Sequence, residues 1–208
     1  MGAMDIGIIG AGSLGTALGR RLGEAGHTIM YARGESAQRA AAGQGASVGS
    51  NADAAAFGEV VILAVPFDAI AYALVDARPS EGRIIWSCVN ALTPDYSGLA
   101  IGFDNSAAEE VARHAPGAQV VAAVPPFADA IAPGRLRYDS ELAPSVFICG
   151  DHPEAKTVVA QLIGDVGAHP VDAGPLLAAR FVEPAMMLLV SIAYAGVPRD
   201  VGLRLLEK

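Results

Sequence analysis

Positive charge is scarce in this chain. Its 208 residues carry 14 Lys and Arg against 22 Asp and Glu, a formal net charge of -8 with no basic cluster to offset it. That balance argues against a nucleic-acid partner, and any anionic ligand must be held by local groups against the overall field. Cysteine is nearly absent. Cys88 and Cys149 sit in strand-like runs without C-x-x-C spacing and read as buried reduced thiols of a cytoplasmic protein, with a disulfide or a reactive thiol as the alternative. There is no H-E-x-x-H, no cysteine pair and no G-x-S-x-G elbow, so neither a metal site nor a covalent nucleophile is expected. His27, His114, His152 and His169 fall at the ends of expected elements and read as surface or cap residues. The longest uncharged stretch, residues 184–198, is shorter than the ~20 apolar residues that span a bilayer. No charged start followed by an apolar run marks a signal peptide. A soluble protein without a membrane partner is the expectation. Met1-Gly2-Ala3, ahead of Met4, reads as a tag remnant and is left out of the fold reasoning.

What the chain does have is apolar mass, 52% hydrophobic against 17% charged residues, which supports a large core. Its organising stretch is Ile6-Gly7-Ile8-Ile9-Gly10-Ala11-Gly12-Ser13-Leu14-Gly15. A short apolar strand runs into a G-x-G-x-x-G turn, and helical spacing of Leu14, Ala17, Leu18, Leu22 and Ala25 begins at once. Each glycine has a task in dinucleotide binding. Gly10 allows the tight turn, Gly12 lets backbone approach a pyrophosphate, and Gly15 lets the helix pack close to the strand. The first-turn N–H groups of that helix then face the anion.

Further along, Thr28-Ile29-Met30-Tyr31 reads as the second strand, and Arg33-Gly34-Glu35-Ser36 opens an alanine-rich helix ending near Gly43. A short helix is expected over Asn51–Phe57, and another over residues 67–75. The run 60–65 is apolar on both faces, as a central strand of a parallel sheet is; 83–89 reads as another buried strand, and 119–123 and 145–149 as further strands. Ser106-Ala107-Ala108-Glu109 is a capping box for a helix to about His114, and Asp151 with Glu154 signals another that stops at Gly164. Strands alternating with helices predict an α/β fold, a doubly wound parallel sheet. We expect a dinucleotide-binding domain over residues 4–150 and a C-terminal segment over 151–208 that completes the sheet. Residues 175–195 form one long helix with no clear polar face. Such a helix is buried, either in a homodimer or against its own sheet.

NAD-selective sites place a carboxylate at the end of the second strand for the ribose 2′-hydroxyl. Here that strand ends Tyr31-Ala32-Arg33, with no acid before Glu35. A guanidinium at that place suits a 2′-phosphate, so NADP(H) is expected, with Arg33 as its ligand and Ser36 and Arg39 as helpers. Ligands of open α/β sheets lie outside the carboxyl ends of the strands. That places Ala64, Val65 and Pro66, then Asn90, then Val124-Pro125-Pro126, beside the cofactor. Asn90 can bind ribose or the nicotinamide amide, or serve as an ordinary turn asparagine.

These stretches, together with Gly150-Asp151-His152-Pro153-Glu154-Ala155-Lys156, Val171-Asp172-Ala173-Gly174-Pro175-Leu176 and Phe181-Val182-Glu183-Pro184, resemble in order the coenzyme F420-dependent NADP oxidoreductases and their relatives. The resemblance runs from Asp5 to about Ala195. It implies a Rossmann domain with a small helical C-terminal part that binds NADPH and passes hydride between it and a deazaflavin. It also implies dimerisation through the C-terminal helices. Carried over by position, Gly10, Gly12, Ser13, Leu14, Arg33, Ala64, Val65 and Pro66 would touch NADP, and Ala11, Gly15, Ser36 and Asn90 complete the candidate set. The chain departs from the family at Ala32, where a serine is usual, at Asn90-Ala91 in place of Asn-Pro, and at Val120-Val121-Ala122-Ala123-Val124-Pro125-Pro126 in place of Val-Val-Lys-Ala-Phe-Asn-Thr. The expected activity is hydride transfer between NADP(H) and a flat partner such as coenzyme F420 or another small substrate. The alternatives are a non-catalytic NADPH sensor and a reductase of a different small substrate.

Overall fold

The computed structural model describes residues 2–125, 143–195 and 201–206. The expected elements are present. β1 (Asp5–Ile9) leads to α1 (Ser13–Glu24), β2 (Thr28–Ala32) to α2 (Glu35–Ala42), and β3 (Ser47–Gly49) to α3 (Asn51–Phe57). β4 (Val60–Leu63) passes through a 3-10 turn into α4 (Ile70–Ala77), followed by β5 (Ile84–Ser87), α5 (Ala107–His114) and β6 (Gln119–Ala122). β7 (Ser145–Gly150), α6 (Pro153–Asp165), β8 (His169–Gly174) and α7 (Ala179–Tyr194), itself led in by a 3-10 turn, complete the order.

The eight strands form one sheet in the order β3-β2-β1-β4-β5-β6-β7-β8. Helices cover both faces. Ile6, Ile8, Ile62, Trp86 and Ile148 look toward α1 and α6, while Ile9, Val61, Leu63 and Ile85 look toward α3, α4 and α5. Because the central strands bury both faces, each of these side chains contributes about 1.5–3 kcal/mol.

The sheet departs from the all-parallel expectation at one seam. β6 and β7 are antiparallel, with Val121 opposite Gly150, whereas β7 and β8 are parallel to each other. An apolar run does not encode strand direction, so the residues of β7 read like any other buried strand. β8 itself has no apolar run; it is a partly exposed edge strand containing Pro170, which an edge tolerates.

Two local expectations are corrected. Asp151 does not cap α6, whose N-cap is His152; its carboxylate accepts the Leu176 amide at 2.9 Å and pins the approach to α7. His27 is not a surface residue but is 8% exposed. Its Nδ1 accepts the Met4 amide at 3.1 Å, which leaves the proton on Nε2 to donate to Asp165 Oδ2 at 3.1 Å. One imidazole thus ties the entry to β1, the α1–β2 turn and the end of α6. Cys88 and Cys149 are both free and buried.

The stretch Leu176–Tyr194 has the length and mean hydropathy, 1.8, of a membrane span. A count over the uncharged residues 184–198 misses this because Arg180 and Glu183 interrupt it, and both of those charges face α5. The opposite side of α7 leaves Phe181 and Leu188 exposed. Tyr194 stacks on Tyr96 from the loop after β5, ring centroids 5.8 Å apart.

Candidate functional site

Strand order reverses between β1 and β4, and a crevice opens at their carboxyl ends, as such switch points do. A cleft of about 360 Å³ lies there. One wall is the glycine turn with Gly10, Ala11 and Gly12; the other is the end of β2 and the start of α2, with Arg33, Ser36 and Arg39; Val65 closes it from β4.

The glycines divide their work as expected. Gly10 has φ +103°, and a Cβ there would strike the carbonyl of Ala64. A Cβ on Gly15 would strike the carbonyl of Gly10, so the absence of a side chain is what lets α1 lie against β1. Gly12 has nothing within 4 Å of where a Cβ would stand, leaving its backbone open to the cleft. No side chain caps α1, and its first turn holds no acid. Among the described residues neither a cap nor a first-turn acid therefore answers the positive end of the helix dipole. α2 also starts at the cleft, behind Gly34.

The two arginines differ. Arg39 is committed in part, with Glu35 at 3.7 Å and a hydrogen bond to Ser36 Oγ at 3.2 Å. Among the described residues Arg33 makes no hydrogen bond and no ion pair within 4 Å. Asp53 feels its charge weakly: that carboxyl is held below the usual carboxylate range mainly by Ser50 hydrogen bonds and least by Arg33. Asp53 and Ser50 form a capping box that sets α3, whose first residue, Asn51, reaches the cleft. Asn51, Ile9, Ala32, Gly34, Glu35 and Ala37 also line the cleft, although none of them belongs to the candidate set read from sequence. Ser13, Leu14 and Gly15 stand behind the glycine turn in α1, and Ala64 and Pro66 flank Val65, outside the cleft lining.

Asn90 lies elsewhere, beyond the end of β5. Its Nδ2 donates to the main-chain oxygen of Glu183 at 3.3 Å, while Oδ1 is buried with no partner among the described residues. Glu183 itself is 3% exposed. The amides of Ala107 and Ala108 donate to its Oε2 and Oε1 at 2.8 and 3.1 Å. Desolvation pushes its carboxyl up to about 7 against the opposing pull of those amides and that of Ala91. Beside it Arg180 grips Glu109, which lies below its ordinary range chiefly because of that arginine. The sequence signal for Glu183 is an acid that, with Arg180, interrupts a mostly apolar helix.

The departure segment is described through Pro125; Pro126 lies outside the described residues. Ala122 and Ala123 are buried, and Trp86 Nε1 donates to the Ala123 carbonyl at 2.8 Å. Among the described residues no group of three or more His, Cys, Asp and Glu could hold a metal ion.

A family model described as NADP oxidoreductase, coenzyme F420-dependent, matches residues 5–91. The F420-dependent NADP reductase of Methanothermobacter thermautotrophicus is 28% identical over 164 residues, 75% of this chain and 69% of the relative. That of Methanocaldococcus jannaschii is 27% identical over 161 residues, 74% and 71% of the two chains. A crystal structure from Arthrobacter sp. FB24, carrying the provisional description F420-dependent NADP reductase, superposes with TM-score 0.88 at 21% identity, covering 99% of this chain and 100% of that one. The first three matches carry the resemblance to this reductase family; the last speaks for the fold.

Proposed function

We propose that the chain is an NADP(H)-dependent oxidoreductase that transfers hydride between the nicotinamide and a flat redox partner, coenzyme F420 or a close analogue. One observation carries the cofactor assignment: a guanidinium that, among the described residues, makes no hydrogen bond or ion pair stands at the tip of β2, across a cleft from a helix terminus with no side-chain cap. The two positive ends suit a 2′-phosphate and a pyrophosphate, and they offset locally a chain whose net charge is -8. In this reading Gly10, Ala11, Gly12, Ser13, Leu14 and Gly15 hold the pyrophosphate. Arg33 and Ser36 hold the 2′-phosphate, Ala64, Val65 and Pro66 line the path between, and Asn90 flanks the nicotinamide end. A bound nicotinamide supplies the hydride chemistry; the protein aligns the rings and excludes water. No titratable side chain at the glycine turn or at Val65 needs to exchange a proton.

The reductases of the two archaeal relatives support coenzyme F420 as second substrate. Residues 4–150 would form the cofactor-binding part and residues 151–208 the segment that completes the sheet and dimerises. The exposed face of α7 supports a homodimer, and two free buried thiols support a reducing, cytoplasmic setting. The decisive experiment mixes protein, NADPH and oxidised F420 and follows deazaflavin absorbance. Bleaching dependent on protein is expected. Tight NADPH binding without bleaching would instead favour the sensor, a reading to which the wholly apolar residues 120–125 give some support.

A further inference from the structure

Glu183 reaches three points of the rim that follows β5. Its carboxylate takes the first two amides of α5, it faces the amide of Ala91, and its own main-chain oxygen holds the Nδ2 of Asn90. Residues 90 and 91 and the start of α5 are distant in sequence from α7, and this one residue gathers them. Both carboxylate oxygens act as acceptors. The amide bonds are strongest to the charged form, and protonation would turn one of the two acceptor oxygens into a hydroxyl that needs an acceptor of its own.

We infer that Glu183 is a positioning residue for the nicotinamide end of the site: in its carboxylate form the side chain anchors α7 to the start of α5 beside Ala91, and from that anchored residue the main-chain oxygen holds Asn90 in the binding geometry. This rests on the cofactor reading above. Among the described residues no cation pairs with the carboxylate. From α5, Glu109 faces it but is engaged by Arg180 of α7, which also feels Asp104. From β7, the Cys149 thiol lies close enough to be pushed up in part by Glu183, with Asp172 and Lys156 acting on the same thiol. Desolvation therefore dominates, bringing the titration to about 7, inside the working range.

The test compares NADPH binding by the full-length protein and its Glu183→Gln variant from pH 6 to pH 8. If only the carboxylate form is competent, the competent fraction rises from roughly a tenth to nine tenths, so wild-type affinity gains about tenfold more than the variant's. The 2′-phosphate, with its second pKa near 6, titrates in both proteins and cancels in the comparison. Parallel profiles would overturn the proposal while leaving the cofactor reading intact. No NADPH binding by the wild type would overturn both. Should the variant fail to fold, amide hydrogen exchange at Ala107 and Ala108 in the wild type, corrected for intrinsic rate, provides the second measurement. Protection must rise through pH 7, and flat protection overturns the proposal.

Discussion

Arg180 meets Glu109 through two parallel hydrogen bonds, Nε to Oε2 at 2.9 Å and Nη2 to Oε1 at 2.7 Å, across 71 residues of sequence. Both side chains are about three-quarters buried, and Glu109 Oε2 also accepts the Ser106 hydroxyl that caps α5. The pair therefore fastens α7 to the same helix end that Glu183 occupies. Such a bidentate, partly shielded pair exceeds the 0–1 kcal/mol of an exposed one. Arg180→Ala should cost about 1–2 kcal/mol, read as a lower urea midpoint at unchanged slope.

Arg33→Ala should weaken NADPH binding while barely touching NADH. Loss of hydrogen bonds to a charged group costs about 1.5–3 kcal/mol, roughly 10- to 100-fold in affinity. Parallel fluorescence titrations with the two nucleotides check this, and equal losses for both would remove Arg33 from the 2′-phosphate.

Gly15→Ala should damage the cofactor site more than the fold. The new methyl group would meet the Gly10 carbonyl, so α1 must lift from β1 just where the glycine turn is set. Overpacking of this kind costs about 1–3 kcal/mol. The expected result is a folded protein by circular dichroism with NADPH affinity sharply reduced. Retained affinity would show that the turn tolerates the displacement.

The pH dependence of stability follows from Glu183. Its carboxyl is raised to about 7 by burial, so between the ordinary glutamate range and pH 7 the folded protein binds more protons than the unfolded chain. The contribution is complete at pH 4 and is lost as pH rises through 7, about 3 kcal/mol across that window at 1.36 kcal/mol per unit. Tm should fall accordingly for the wild type between pH 5 and pH 8, and Glu183→Gln should lack that component. A Gln variant with an unchanged curve would assign the dependence to other groups. Stability and rim geometry run in opposite directions with pH, which separates a structural role from a positioning one.

Local chemistry explains which parts were legible in the sequence. The strand, glycine turn and helix of residues 6–24 are written in consecutive residues, and so is Arg33 at the end of β2. Cleft residues such as Asn51 and Gly34 carry no such signal, because they reach the site through the sheet order that brings β2, β1 and β4 together. Glu183 was visible within a motif, but its task depends on amides 75 and 76 residues away. His27 likewise reads as a turn residue until α6 brings Asp165 to its ring. Direction in β7 and pairing in β8 are properties of the assembled sheet, and a proline-bearing edge strand hides from any count of apolar residues.

The outer face of α7 offers the last prediction. Phe181 and Leu188 are 66% and 56% exposed and stand seven residues apart, which puts them on one side of the helix, and Leu177 in the 3-10 turn before it is 53% exposed. The inner side is already occupied by Glu183, Met186, Leu189 and Val190, all buried against the chain's own core or loops. Burying a Phe or Leu side chain contributes about 1.5–3 kcal/mol, so a second copy meeting this stripe gains from each residue twice. If the stripe joins two copies, the wild type should scatter light as a dimer at micromolar concentration and Phe181→Glu with Leu188→Glu as a monomer. The double variant should keep its circular dichroism, since neither side chain belongs to the core. A wild type that scatters as a monomer would mean that this stripe serves no self-association.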